Sequence, residues 1–505
     1  MAPDAAHATG SVGGDVTGAT RSATREVFGG SARVFIAEAL ALPTGLITAA
    51  VLARRFQPDG YGLFTLTMAI VAWLEWTLAS LFARAAVKVV ADSDDWRPAG
   101  AVVLRAYAVG GAVGLIALWI AAGPIASLMH EPSLAHHLRV LALDVPLFML
   151  AQAHQQVLVG TGQYARRATV AAYRWIGRLV FVLALVYAGF SIDGALLGVV
   201  LTSLVELVVA RRAVQPGVRG ATRELARTMW TFALPLVAAA LSLRLFDKLD
   251  LFVLKSLGAS AADAGVYAAA QNLTIIPNLV ALSVTTLLVS TLSRARRLGD
   301  EAGARSLARN ALRGVLLLFP FAGVAAGAST ALATFIYGAP FAATGPLLAV
   351  LIFAALVIVM ISVASAVLTA GGRPSLAMVA ALPAAPLALV GHLLVIPRFG
   401  SIGATGVTLI VATVGALIAI VAVWRTWRLW PPVGTAVRSI IVTVIVTVGG
   451  TAWRTMGALV FVELGVMSLV ACVLLALFGE LSPTERAALG LAAQRFLPAP
   501  VSRVD

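Results

Sequence analysis

The chain has 505 residues, 60% of them hydrophobic and only 12% charged, with a net charge of +14 and a mean hydropathy of +0.95. Soluble domains carry roughly 25% charged residues, so a large soluble core is excluded, and the lone cysteine, Cys472, excludes an intrachain disulfide or a cysteine-based metal site. A basic excess of this size would suit nucleic acid, but the arginines and lysines sit in short segments between apolar runs, where the positive-inside rule puts them. No Walker loop, zinc spacing or nucleophile elbow occurs in the sequence.

Residues 1–28 are small and polar, without the apolar stretch of a secretory signal, and read as a disordered cytoplasmic tail. Apolar runs of membrane-spanning length follow at about 29–53, 61–84, 99–121, 137–158, 168–190, 192–214, 229–257, 264–292, 311–333, 344–368, 375–396, 403–424, 434–453 and 458–479. The expected fold is an all-α integral membrane protein of about fourteen transmembrane helices. An even number puts both termini on one side. With the N-terminus in the cytoplasm, 26 loop arginines and lysines fall inside, among them Arg211, Arg212, Arg294, Arg296 and Arg297. Only five fall outside: Arg54, Arg55, Lys255, Arg398 and Arg454. That bias predicts an N-in, C-in orientation.

The sequence also repeats. The first external turn, PDGYGLF (58–64), has a counterpart in ADAGVYA (262–268). Gly162 precedes Gly194 by 32 residues, within Gly160-Thr161-Gly162 and Asp193-Gly194-Ala195; Gly372 precedes Gly403 by 31, within Gly371-Gly372-Arg373 and Ile402-Gly403-Ala404. Matching order and spacing predict two pseudo-symmetric six-helix lobes in the same orientation, related by an axis along the membrane normal. The expected division is an N-lobe at 29–214 (helices 1–6), a basic cytoplasmic linker at 215–228 and a C-lobe at 229–424 (helices 7–12). Helices 13 and 14 then occupy 425–479, outside the repeat, and a cytoplasmic tail occupies 480–505.

Four segments carry a family resemblance: Arg54-Arg55-Phe56-Gln57-Pro58-Asp59-Gly60-Tyr61-Gly62, the seventh-run stretch Phe246–Leu273, Leu368-Thr369-Ala370-Gly371-Gly372-Arg373-Pro374, and Ile396 to Ala404 (IPRFGSIGA). In this order, over residues 25–480, the chain resembles the oligosaccharide (Wzx-type) flippases of the multidrug/oligosaccharidyl-lipid/polysaccharide exporter superfamily. The resemblance implies two six-helix lobes around a central cavity that opens alternately inward and outward. It implies export of a polyprenyl-diphosphate-linked oligosaccharide or related glycan across the bacterial cytoplasmic (inner) membrane, no enzyme activity and no cofactor beyond a coupling H⁺ or Na⁺. The implied partners are the lipid-linked glycan, membrane lipids and a polysaccharide polymerase or chain-length machinery, with no nucleic acid. The alternative within the superfamily is a cation- or proton-coupled small-molecule exporter, against which helices 13 and 14 count mildly, since drug exporters of the superfamily usually have twelve. A glycan polymerase or ligase is disfavoured because no external loop exceeds about sixteen residues, whereas such enzymes carry a large external catalytic loop.

Charge at membrane depth is expensive and usually kept for function, which singles out a few residues. In the seventh run, counted from Met229, Arg244 lies roughly 22 Å along and Asp250 about 31 Å. Arg244, Asp247 and Lys248 share a helix face. With Asp250 they read as a polar cavity wall that meets the glycan or diphosphate and titrates, as an internally paired cluster, or as side chains snorkelling to the outer interface. In the fifth run Arg174 and Arg178, i and i+4, stand beside Tyr173 and Trp175. Two guanidinium groups on one face can grip several diphosphate oxygens; otherwise they reach lipid headgroups.

Glu38, Glu75, Asp144 and Glu206 read as inter-helix salt-bridge acids or as a proton or Na⁺ coupling site. Residue counting places the glutamates in the inner half, with Arg174 and Arg178, and Asp144 in the outer half, where it is the preferred coupling residue. His154 with Gln152, Gln155 and Gln156 lacks the ligands for a metal and is expected to bond backbone or sugar hydroxyls. Gln271, Asn272 and Asn278 flank Pro277, where freed carbonyls call for donors or sugars for recognition. Beyond these, His392 and Glu463 are nearly all the polar charge in the second half of the membrane region.

Overall fold

The structure, a computed structural model, describes residues 33–34, 36–217, 223–227, 229, 231, 248–373, 375–376, 383–453 and 455–480; the side chains of 278–283 and 286 are outside that description. The chain forms two compact units, residues 1–56 with 63–248, and residues 57–62 with 249–505. Among the described residues the regular structure is helical, and nine spans are long and apolar enough to cross a membrane. Lipid offers no partner for backbone N–H and C=O groups, so spanning segments satisfy them internally as helices. The protein is a multi-pass membrane protein.

Helix α1, Ala41–Ala91, has 51 residues. At ~1.5 Å per residue it is more than twice as long as a ~30 Å hydrocarbon core needs. It is broken at Gln57 (φ 59°, ψ 177°), next to Pro58, within the turn expected between the first and second apolar runs. The first unit continues with α2 (Trp96–Leu128), α3 (Leu134–Ala142), α4 (Asp144–Gly160), α5 (Tyr164–Leu185) and α6 (Ser191–Ala213). α5 packs along α6, and α4 packs against both α2 and α6. Gly198 of α6 makes the close approach possible: a Cβ there would lie 2.6 Å from Cα of Val182 on α5. Small residues of this kind let helices approach in lipid, where no hydrophobic drive separates helix from solvent.

The second unit is built on α7 (Leu249–Ser256), α8 (Ala261–Leu273), α9 (Ile275–Arg297), α10 (Glu301–Gly327), α11 (Ser329–Tyr337) and α12 (Thr344–Ala370). It ends with α13 (Ala384–Trp427), α14 (Val433–Ala452) and α15 (Leu459–Leu477). α12 is apolar all round and central, packed by α13, α9, α10, α8 and α11, as expected of a helix with no polar face. α14 and α15, the last two expected helices, close a separate apolar cluster of Val324, Val442, Val446, Ala471 and Leu475 against α10.

The repeated glycines build the same turn twice. Gly162 (φ 73°) and Gly372 (φ 76°) each end a helix with the following amide returning to a carbonyl five residues back, Gln163 to Leu158 at 2.8 Å and Arg373 to Leu368 at 3.0 Å. Three residues before Gly194 stands Ser191 (φ 51°, ψ −135°), and three before Gly403 stands Gly400 (φ 56°, ψ −139°). A Cβ on Gly194 would lie 2.6 Å from that of Phe190, and one on Gly403 2.8 Å from that of Phe399, so each glycine lets its turn close on a phenylalanine four residues back.

A buried acid–arginine cluster as candidate functional site

The four helices α1, α4, α5 and α6 bring Glu75, Asp144, Arg174, Arg178 and Glu206 together in the first unit. Arg174 and Arg178 lie one turn apart on α5. The Arg174 Nε stands 3.6 Å from Oε2 of Glu206 on α6, a side chain with no solvent exposure. Gln155 of α4 donates its Nε2 to the other Glu206 oxygen at 2.6 Å. Around the Arg174 guanidinium are the rings of Phe148, Trp175 and Trp76, at 5.1, 5.3 and 5.6 Å. Phe148 and Trp76 themselves meet edge to face at 5.4 Å. Cation–π contacts of this kind contribute ~2 kcal/mol when desolvated, so the arginine is held by faces as well as by charge. Arg178 turns an Nη toward the Met68 sulfur, 4.0 Å away.

Glu75 of α1 and Asp144 at the start of α4 are buried, and their carboxyl groups lie within hydrogen-bonding reach of each other, with Arg174 and Arg178 in electrostatic range. A carboxyl–carboxyl hydrogen bond needs one proton between the two groups, since two adjacent carboxylates repel in a low dielectric. Three acids and two arginines then balance when the cluster carries one proton. Among the described residues, no hydrogen-bond donor reaches Glu75 Oε1, Asp144 Oδ1 or Glu206 Oε2. The cluster therefore has open acceptor capacity for a proton, a cation or a water.

Several expectations change here. Residue counting separated Asp144 from Glu75 by depth, but the two meet, because helix tilt and axial offset are set by packing and leave no trace in residue number. Gln155, expected to meet backbone or sugar, is committed to Glu206; neighbouring His154 bonds its own helix at Leu150 O, 2.7 Å. Glu38 stands apart from the buried set. It accepts from Trp175 Nε1 at 3.1 Å and faces Arg167 at 3.6 Å, with 43% of its side chain exposed. The aromatic faces around Arg174 and the Gln155–Glu206 bond were not foreseen; Trp175 beside Arg174 was the only sequence signal for them.

In the second unit Asp250 is buried and fully engaged. It accepts from Tyr267 Oη at 2.7 Å, from Gln271 Nε2 at 2.7 Å and from the Leu251 amide at 2.8 Å. Asn272 donates to Tyr61 Oη at 2.9 Å. Gln271 and Asn272 thus bond between elements, and Pro277 sits in the first turn of α9, where its missing N–H costs no helix bond. Lys248 is half-buried at the head of α7, whereas Arg244 and Asp247 lie outside the described residues. Glu463 is buried and accepts from the Thr455 hydroxyl, and His392 is buried in α13.

Comparison with known proteins fits this architecture. The sequence profile of a family described as polysaccharide biosynthesis protein matches residues 51–346. No curated protein sequence matches the chain significantly. Among solved structures, the lipid II flippase MurJ in an inward closed conformation is 15% identical, with a TM-score of 0.75, and the alignment covers 89% of this chain and 98% of MurJ. The Vibrio cholerae MATE transporter VcmN is 16% identical with a TM-score of 0.55, covering 84% of this chain and 99% of VcmN. A Pyrococcus furiosus transporter of the MOP superfamily is 16% identical with a TM-score of 0.56, covering 83% of this chain and 96% of its own. At these identities the likeness is one of fold, and the fold is that of the superfamily the sequence motifs resemble. With more than half its length matched by the family profile, the chain belongs to the polysaccharide biosynthesis protein family.

Proposed function

We propose that the protein is a flippase that moves a polyprenyl-diphosphate-linked oligosaccharide, or a related glycan, across the bacterial cytoplasmic membrane by alternating access. On this reading the chain crosses the membrane fourteen times, with both termini in the cytoplasm, as two six-helix lobes followed by helices 13 and 14. It delivers its cargo to polymerase or chain-length machinery on the far side. The observation that carries the reading is membership of a polysaccharide biosynthesis family combined with a fold nearer to a lipid II flippase (TM-score 0.75) than to the MATE transporter VcmN (0.55).

The buried cluster gives that reading a physical mechanism. Arg174 is already paired with Glu206 and boxed by rings, whereas Arg178 faces the Met68 sulfur and meets Glu75 and Asp144 through electrostatic range alone, so Arg178 is the better cation for a diphosphate. The single proton that balances Glu75, Asp144 and Glu206 against the two arginines is the coupling element. A diphosphate that draws Arg178 away leaves the acids short of positive charge and favours uptake of a further proton or Na⁺. Cargo and coupling ion are thus linked through one shared charge balance.

The test is reconstitution into vesicles with a fluorescent polyprenyl-diphosphate oligosaccharide in the inner leaflet. Protein-dependent exposure of that glycan to an impermeant glycosidase is the expected result. If the glycan stays protected while a small organic cation leaves the vesicles down a proton gradient, the small-molecule exporter reading replaces this one.

A further inference from the structure

Three of the chain's six histidines, His130, His136 and His137, fall within eight residues of the connection that leads from α2 into α3. Two of them converge on one carboxylate from another helix. His136 Nε2 lies 3.0 Å from Asp193 Oδ2, and His137 Nδ1 lies 3.0 Å from Asp193 Oδ1. Adjacent helical residues point about 100° apart. They reach the same group here because His136 uses its far nitrogen and His137 its near one, with the rings 5.5 Å apart at 64°. Asp193 is set by the Ser191 turn and opens α6, ~20 Å along that helix from Glu206. The cluster is therefore separate from the buried acid–arginine site.

We propose that His136, His137 and Asp193 form a binding site for a divalent transition metal of the zinc class. One ligand atom from each of the three residues lies within 4.8 Å of the others. Tetrahedral zinc with bonds of ~2.0–2.1 Å separates its ligand atoms by about 3.3 Å, a spacing that these atoms reach by a modest inward closure of the exposed His136 and Asp193 side chains. Two neutral imidazoles and one carboxylate are a borderline donor set that suits zinc rather than calcium or magnesium, which take oxygen ligands. Asp193 and His136 are open to solvent, with 42% and 64% of their side chains exposed, while His137 is 12% exposed. Solvent can therefore enter and supply water as the fourth ligand, and one ring is already held in place by packing. On binding, each ring nitrogen that faces Asp193 offers its lone pair to the metal, and the ring proton sits on the other nitrogen. The metal then fastens the start of α6 to α3 through bonds instead of hydrogen bonds, stiffening that end of the first unit.

The experiment uses the full chain, purified in detergent without a histidine tag, and titrates it with Zn²⁺ by calorimetry and with Co²⁺ by visible absorption. The expected result is one equivalent bound, with Co²⁺ bands of a low-coordinate nitrogen–oxygen site. His137→Ala and Asp193→Asn should each weaken binding by more than the ~10–100-fold lost when only an outer partner of a metal ligand is removed. Zn²⁺ should raise the thermal midpoint of the parent protein and leave that of the folded Asp193→Asn variant unmoved. Absence of stoichiometric binding in the folded parent overturns the proposal, and so does binding that survives both substitutions unchanged.

Discussion

Gly62 and Gly265 meet backbone to backbone. A Cβ on Gly62 would lie 2.9 Å from the amide nitrogen of Gly265, and a Cβ on Gly265 would lie 2.9 Å from that of Gly62. The Pro58–Gly62 part of PDGYGLF is thus packed against ADAGVYA, the segment it resembles in sequence, within the second unit. Tyr61 consolidates the contact by lying against Phe341 at 5.6 Å and accepting from Asn272. Neither glycine has a flexible neighbour that could yield. Gly62→Ala and Gly265→Ala should each cost ~1–3 kcal/mol, the usual penalty for overpacking, read as a lowered thermal midpoint in detergent. Unchanged midpoints in both variants would show that the segments are not in contact.

The Arg174–Glu206 pair predicts strong non-additivity. Removing one partner of a buried ion pair strands the other charge, at a cost of ~3–5 kcal/mol, whereas replacing both with apolar residues is often close to neutral. Arg174→Met alone should therefore destabilise sharply, and Arg174→Met with Glu206→Leu should recover most of the loss. The free Gln155 amide limits the recovery, since its 2.6 Å acceptor has gone. A double variant whose loss equals the sum of the single losses within ~0.5 kcal/mol would mean the two side chains do not interact.

What the sequence discloses and what it hides follow from the range of each interaction. Turns at Gln57-Pro58, Gly162, Ser191, Gly372 and Gly400 were legible because glycine, proline and an interrupted apolar run are local signals. The i,i+4 spacing of Arg174 and Arg178 was legible for the same reason. Their partners were not: Gln155 and Glu206 are 51 residues apart, and Trp175 and Glu38 are 137 apart. Only packing brings such residues together, and one sequence carries no record of which faces pack. Asp250 shows the same limit. Its charge left a cavity role and internal pairing both open, and only the structure supplies the three donors around it.

That saturation makes a graded prediction for Asp250. Tyr267→Phe removes one hydrogen bond to a charged group and should cost ~1.5–3 kcal/mol. Asp250→Ala should cost more, because it leaves the Tyr267 hydroxyl and the Gln271 amide buried without their acceptor. The order of the two thermal midpoints is the measurement, and a more damaging Tyr267→Phe would show that the phenol has another, larger role.

Orientation is testable through the lone cysteine. Cys472 is exposed, so labelling begins from a Cys472→Ala background. Asp59→Cys and Arg297→Cys replace exposed residues on opposite sides of the expected topology. In intact cells an impermeant maleimide should modify the first and spare the second. Modification of Arg297→Cys alone would invert the assignment.

Glu480, just beyond α15, predicts how stability responds to acid. Its carboxylate accepts from Arg313 Nε at 3.0 Å, from Arg438 Nη1 at 2.9 Å and from the Thr435 hydroxyl. Arg313 also donates to its backbone carbonyl, so one residue ties the end of the chain's last described helix to α10 and α14. Burial pushes the Glu480 carboxyl up, but these three donors and the Arg313 charge outweigh it and hold the group below the ordinary glutamate range. A carboxyl depressed in the folded state adds stability that is fully present above its unfolded value of ~4.3 and disappears as pH falls through the folded value. The thermal midpoint should therefore hold its Glu480 contribution at neutral pH and lose it on acidification below about pH 4. Glu480→Gln should lower the midpoint at pH 7 and converge with the parent in acid, while other groups titrate alike in both. A gap between the two proteins that stays constant from neutral pH down through that acid range would assign the Glu480 contribution to packing instead of charge.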